Sequence, residues 1–459
     1  MKLAVIISRI IVGSLFIVSG LIKMNDSYGF SYKLEEYFGE KALGMPAFIP
    51  YALGLAVFIC IAEVLLGVAV LVWAKQKLTT VLLLVMILFF TWLTYYTHTC
   101  NPLEPVTIEI GGEMVETTKD CVLECGCFGN AIPLTPYQSF QKDLFLLIWI
   151  LILFVYAFFI EKKEHFDQSI KKNRMLYWIV LAGSMLAVAL FSLRMLDWMF
   201  PVIFTAICLV VAEVIRKRIK SPATDWIVAG GVTVVCCIFA YYTYNYLPMK
   251  DYRPYAIGEN IKENMKSAEE VGKEGPVYAV EYTVKNKQTG ADSIMLSTDW
   301  LKVQGTAAFK RRYEVTSWDG REITVKEGYE PRIKDFAPMD FFGTEVQDDI
   351  LNHEGHTLIL MSKDMKKLLA KDHGEILKVY NKASKAGHKM IALVNGASNE
   401  EIKAYQEKTG LDFPFYLMDD VEMKTMIRSN PGLIHLKNAT VMNKWSWKSF
   451  PSYGDINFN

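Results

Sequence analysis

The chain has 459 residues, 52% of them apolar, with 49 basic residues balanced by 49 acidic ones. That balance excludes a protein built to hold nucleic acid, which needs an excess of positive charge. The length is enough for two or three domains. The apolar residues are unevenly divided: up to about Leu247 long apolar runs alternate with short polar pieces, and beyond it charged residues interleave with modest apolar stretches.

A bilayer crossing takes about 20 apolar residues. The first half offers seven such runs: Leu3–Leu21, Tyr51–Trp73, Leu78–Thr97, Leu144–Ile160, Met175–Leu193, Met199–Ile215 and Trp226–Leu247. The first lacks a small-residue cleavage site and is followed by further spans, so it reads as a retained helix rather than a signal peptide. Lys75 and Lys77, the cluster in "EKKEHFDQSIKKNR", and Arg216, Lys217, Arg218 and Lys220 occupy alternate loops. Cytoplasmic loops carry the excess of Lys and Arg, so these loops and the N-terminus are expected inside. The loop 99–141 and everything after Leu247 are then expected outside, where disulfides persist.

Polar residues within the spans are few. Arg9 and Lys23 lie in or at the ends of the first, and Glu63 lies in the middle of the second. Ionisable groups in a bilayer pair with one another or line a cavity. Either Arg9 or Lys23 is within conceivable reach of Glu63, as a structural ion pair or as a quinone or proton site. Gly13, Gly20, Gly54 and Gly67 supply small faces for close helix packing, and Glu213 sits where it just reaches water.

The outward loop gathers Cys100, Cys121, Cys125 and Cys127. Four cysteines allow three complete pairings, and sequence does not choose among them. Structural bridges and redox exchange both fit, with Cys125 or Cys127 as the exchanging thiol and Cys100 or Cys121 as its resolving partner. Metal binding with His98 fits less well, because no paired C-x₂-C knuckle is present. Cys60, Cys208, Cys236 and Cys237 lie inside spans and read as small hydrophobes.

After the membrane half, residues 277–327 suggest two β-hairpins, the second with Asp319-Gly320 at its tip. From about Lys334 strands alternate with helices: "HTLILMS", "HGEILKVYNKASKAG", "KMIALVNG", "SNEEIKAYQEKTG" with a capping box of Ser398 and Glu401, "FPFYLMD", "DVEMKTMIRS" capped by Asp419, and a closing hairpin of "GLIHLKN" and "TVMNKWSW". That order implies a mixed sheet covered by helices.

The order resembles the thioredoxin-like superfamily. In "SNPGLIHL", Asn430-Pro431 stands where that family keeps a cis proline beside its partner-binding groove. The position of the family's C-x-x-C holds Ser362–Met365 instead, and no cysteine occurs after residue 247, so dithiol chemistry by this domain is excluded. The membrane half, with "SRIIVGSLFIVSGLIKM", Glu63 in "CIAEVLLGVAVL" and "CGCFG" before the fourth span, resembles the DoxX-like superfamily and its MauE branch, named for methylamine utilisation.

These readings divide the chain into a four-helix DoxX/MauE-like unit at 1–160 with the external Cys loop, three further spans at 161–247, a linker and small β-rich region at 248–333, and a thioredoxin-like domain at 334–459. The resemblance implies a bacterial inner-membrane protein of the thiol-disulfide class, whose loop cysteines pass electrons toward a membrane acceptor such as a quinone. It would exchange with a periplasmic thiol protein. The alternative is a non-catalytic membrane subunit whose outer domain binds a partner.

Overall fold

The computed structural model describes residues 2–102, 104–110, 113–122, 126, 128–160, 174–371 and 373–458. Cys125, Cys127 and the basic loop 161–173 lie outside the described residues.

The apolar half is a helical bundle. Its helices are α1 (Lys2–Asn25), α2 (Ser27–Phe38), α3 (Ala52–Val72), α4 (Gln76–Thr99), α5 (Pro136–Val155), α6 (Arg174–Phe191), α7 (Phe200–Arg218) and α8 (Thr224–Asn245). Among the described residues, six helical stretches are long and apolar enough to cross a bilayer, and they contain α1, α3, α4, α5, α6 and α8. The segment expected as a further span is also helical, as α7, but its last turns carry Glu213, Arg216, Lys217 and Arg218, which make it less apolar than the rest. α5 begins eight residues before the expected Leu144. Pro136 opens it, and Thr135 and Gln138 form a capping box there.

Glycine lets α1 and α3 approach closely. A Cβ on Gly20 would lie 2.7 Å from the Cys60 carbonyl oxygen, and one on Gly67 would lie 2.8 Å from the Gly13 carbonyl oxygen. Gly54 was expected to act likewise, but nothing lies within 4 Å of a Cβ built there, so it serves no such contact.

The two ends of the bundle are distinct. At one, Arg216 donates to the Val72 carbonyl at 2.6 Å and pairs with Asp225 at 2.9 Å, while the Lys75 amide donates to Asp225. At the other, Asn25 accepts from the Met249 amide at 2.8 Å and donates to the Lys250 carbonyl at 2.7 Å. The amphipathic α2 lies at this second end, capped by Asp26, with Phe30 and Leu34 in the bundle core. The Cys loop emerges there too, where the Asp120 amide donates to the Lys41 carbonyl at 3.0 Å. The loop carries a hairpin of β1 (Pro105–Ile110) and β2 (Glu113–Thr118).

Beyond α8, β3 (Val277–Asn286) and β4 (Asp292–Leu296) form the first expected hairpin. The second does not form. Tyr313–Lys326 is one long strand, β5, paired antiparallel with β3. Opposite the step from Val280 to Tyr282, β5 runs from Glu322 to Trp318, so the Asp-Gly sequence falls in a bulge instead of a tip. A neighbouring strand long enough to pair with both halves makes the bulge preferable to a turn.

The last domain holds β6 (His356–Ser362), α9 (Gly374–Lys385), β7 (Lys389–Val394), α10 (Asn399–Thr409), β8 (Phe415–Leu417), α11 (Asp420–Met426), β9 (Gly432–Lys437) and β10 (Thr440–Ser446). The strand order is β10-β9-β6-β7-β8, with β6, β7 and β8 parallel and β9 antiparallel to its neighbours β6 and β10. The capping box of Ser398 and Glu401 and the Asp419 cap are in place. Every residue of β6 is buried, as expected of a central strand covered on both faces.

Candidate functional site

α1 sets Leu15, Phe16, Ser19 and Lys23 on one face, because residues three, four and seven apart align along a helix. Glu63 faces them from α3. Lys23 Nζ donates to Glu63 Oε1 at 2.5 Å, and both side chains are 3% exposed. The Lys23 ammonium also lies 5.2 Å from the ring centre of Phe30 and 5.0 Å from that of Phe90. Cationic charge and aromatic faces attract electrostatically, which helps hold an amine away from water. Glu63 Oε2 is buried with no hydrogen-bond partner among the described residues.

Arg9 does not reach Glu63. It is fully buried and donates to the Val70 carbonyl at 3.1 Å and the Leu71 carbonyl at 2.6 Å, with Trp73 stacked at 4.7 Å. Arg9 and Lys23 are separated by some 21 Å of helix at about 1.5 Å per residue. Antiparallel packing therefore brings Arg9 to the carbonyls of the last turn of α3, where a cation is favoured. Of the two candidate partners, Lys23 makes the pair.

The pair lines a cavity of about 260 Å³ between α1, α3, α4, α5 and α6. Its walls are largely aromatic and aliphatic, including Phe16, Phe90, Phe128, Phe145 and Phe191. A second ion pair stands across it: Lys142 meets Asp143 at 2.9 Å, and Thr94 donates to Asp143 at 3.1 Å. Phe145 is 48% exposed on the outside of the bundle, so the cavity borders the lipid-facing surface. Sequence reading missed Lys142, Asp143 and Thr94. The available signal was Asp143 at the edge of an apolar run, left out because the helix was expected to begin at Leu144, the next residue.

The Cys loop covers the same cavity. Phe128 lines it, contacts Phe191 with ring centres 5.7 Å apart, and lies under Lys142. Gly126, with φ of +71°, packs near Lys33 and Phe30. These two residues flank Cys127 in the sequence. Of the three open pairings, the structure contains the bond Cys100–Cys121. Cys100 caps α4 just before β1 and Cys121 follows β2, so the bridge closes the base of the hairpin. His98 stacks on Phe140 and lies tilted against Tyr137, with ring centres 6.4 Å and 5.1 Å away. Cys60, Cys208 and Cys236 are buried, whereas Cys237 is exposed on the bundle exterior. Glu213 accepts a hydrogen bond from the Tyr177 hydroxyl.

The C-terminal domain is clasped to the bundle near this loop. Arg428 pairs with Asp26 at 2.8 Å. Burial alone would push the Asp26 carboxyl upward, but the charge and hydrogen bonds of Arg428, with the charge of Arg253, hold it below the usual carboxylate range. The Asn430–Pro431 peptide bond is cis. Asn430 accepts from the Lys363 amide at 2.9 Å, so the Ser362–Met365 turn and Pro431 face each other without a thiol.

A comparison with curated proteins and with solved structures found no match to the chain. Residues 1–100 match the family described as methylamine utilisation protein MauE, a segment that takes in α1 to α4 with Arg9, Lys23 and Glu63 and ends at Cys100.

Proposed function

We propose that the protein is a thiol-disulfide electron-transfer protein of the membrane, in which Cys125 and Cys127 carry the exchange and the Lys23–Glu63 cavity takes a quinone. The observation that carries the reading is the placement of Phe128, immediately after Cys127, on the wall of a cavity with buried charges. The Cys100–Cys121 bridge closes the hairpin and leaves the other two sulfurs of the loop for chemistry.

Oxidation of the Cys125 and Cys127 thiols to a disulfide releases two electrons and two protons, and a substrate dithiol restores them by exchange. The cavity residues suit a small ring with polar edges. The walls are apolar, Ser19, Lys23 and Lys142 offer donors, and the volume is near the small end of ligand pockets, about 300 Å³. A quinone bound there would accept two electrons and two protons. Glu63 would hold a proton at Oε2, and the aromatic walls would exclude bulk water.

The proposed orientation has seven spans, with the N-terminus inside and the loop and outer domain in the periplasm. Supporting it, Lys75, Arg216 and Asp225 meet at the end of the bundle opposite α2, and α7 extends from Phe239 to Val72. The outer domain is proposed to be a thioredoxin-like scaffold that presents a partner-binding surface at Asn430 and Pro431. Its five-stranded order β10-β9-β6-β7-β8 and its cis proline support that assignment.

The test uses the full chain in proteoliposomes with a soluble quinone and dithiothreitol as electron donor. Quinol formation is followed optically, and the loop thiols are trapped by alkylation. The expected result is quinol formation that Cys125→Ser and Cys127→Ser each abolish, with reversible oxidation of the loop. Activity surviving both substitutions, or loop sulfurs that never change state, would favour the non-catalytic subunit, for which the hairpin-closing disulfide is the supporting observation.

A further inference from the structure

A second cleft, of about 670 Å³, lies where the outer domain meets the ends of the spans. Leu53 at the start of α3 and Tyr244–Tyr246 at the end of α8 form its membrane side. α2 adds Tyr28 and Tyr32, and the outer domain contributes the Lys363–Lys371 segment and residues 428–430. Six cations face it: Lys363, Lys367, Lys371, Lys424, Arg428 and Lys448. They oppose three carboxylates of the cleft, Glu35, Asp364 and Asp420, and Arg428 is already paired with Asp26.

Four carboxylates with Asp26 included are fewer than the six cations, so the cleft keeps an excess of positive charge. Asp364 is occupied by the amides of Lys366 and Lys367, and Asp420 by Lys424 at 2.6 Å. Burial pushes the Glu35 carboxyl upward, toward its neutral form. Lys363, Lys367 and Lys371 form no ion pair among the described residues. The Lys363 ammonium donates to the Tyr32 hydroxyl at 3.1 Å and stands over the Tyr32 ring. Burial, with the charge of Arg428, draws its amine down to about 8. Lysines held together with fewer counter-charges than cations favour an anion supplied from elsewhere.

We propose that this cleft binds the phosphate of an anionic phospholipid headgroup. Phosphate chemistry follows from the clustered donors, since ammonium groups bind phosphate as point charges. The lipid source follows from position. Span ends form one wall, and Tyr28, Tyr244, Tyr246 and Trp447 give the interfacial aromatics that settle at headgroup level. Lys448 donates to Asn245 at 2.8 Å, tying the outer domain to the end of α8 beside the opening. An anion seated here would bridge α2, α8 and the outer domain. The site is independent of the loop cysteines and of the Lys23–Glu63 cavity.

The test measures binding of dioleoylphosphatidylglycerol and dioleoylphosphatidylcholine to the purified full chain in neutral detergent, with glycerol phosphate as the free-anion control. Lys363→Gln/Lys367→Gln/Lys371→Gln is expected to bind phosphatidylglycerol at least tenfold more weakly, with phosphatidylcholine unchanged. Lys367→Gln/Lys371→Gln, which leaves the half-buried Lys363 in place, is expected to lose at least threefold and guards against a folding defect in the triple variant. Equal affinity of wild type and both variants for phosphatidylglycerol would overturn the proposal. Glycerol phosphate binding as tightly as the lipid would overturn the lipid assignment and give the cleft to a soluble phosphate.

Discussion

Lys23→Met removes the cation that pairs with Glu63 and leaves a carboxylate whose residue is 2% exposed. Truncating one partner of a buried ion pair costs about 3–5 kcal/mol, because the remaining charge keeps its desolvation penalty and loses its compensation. At about 1.4 kcal/mol per factor of ten, the lower figure already shifts the unfolding equilibrium by about a hundredfold. Lys23→Met/Glu63→Leu removes both charges and is expected to recover most of the loss, since apolar replacements of buried pairs are often neutral or stabilising. Thermal unfolding of the full chain in detergent can be followed with a dye that reports on thiols as they become accessible. Cys60, Cys208 and Cys236 are buried in the bundle and serve as the probes. The double variant should melt near the wild type yet fail to support quinone reduction, which separates the stability of the pair from its use. A Lys23→Met variant as stable as the wild type, or a double variant worse than the single one, would refute the reasoning.

Gly20→Ala would place a Cβ 2.7 Å from the Cys60 carbonyl oxygen and is expected to cost about 1–3 kcal/mol in the same melt, whereas Gly54→Ala, with open space around it, should stay within about 0.5 kcal/mol. Cys100→Ser/Cys121→Ser opens a bridge between residues 21 apart, worth about 3 kcal/mol of loop-closure entropy, and should make the segment 101–120 markedly more sensitive to limited proteolysis. The outer domain should lose stability on acidification. Burial, reinforced by the charges of His356, His388 and Lys437, holds His435 at about 4 against an ordinary 6.5, and burial lowers His356 and His388 as well. The unfolded chain then binds more protons than the folded one between these values, so stability declines as pH falls from about 6.5 toward 4. His435→Phe should flatten that decline, as read from unfolding midpoints across the pH range.

Several elements follow directly from local pattern. The apolar runs are long enough to mark their own helices, and Ser398 with Glu401 marks the start of α10, because a capping box is complete within four residues. The parallel strands β6 and β7 announce themselves as continuous apolar runs, since both faces of that sheet are covered. Asn430-Pro431 is likewise visible as the bond before β9. α2 is less legible. It is short, and its aromatic residues form no wide apolar stripe, although Asp26 at its cap was a usable signal.

Span length, strand alternation and cysteine spacing are local properties, and they suffice to mark a membrane protein with a sheet-containing C-terminal part and a thiol-rich loop. Tertiary packing chose which cation meets Glu63, since Arg9 and Lys23 differ in depth along one helix and the antiparallel arrangement selects between them. It also decided that Cys100 bonds Cys121, that Lys142 and Asp143 face the Lys23–Glu63 pair across a cavity, and that Asp319-Gly320 makes a bulge in β5. Each of these depends on residues far apart in the chain, and a long-range contact is set by how whole elements pack, which no short window of sequence records.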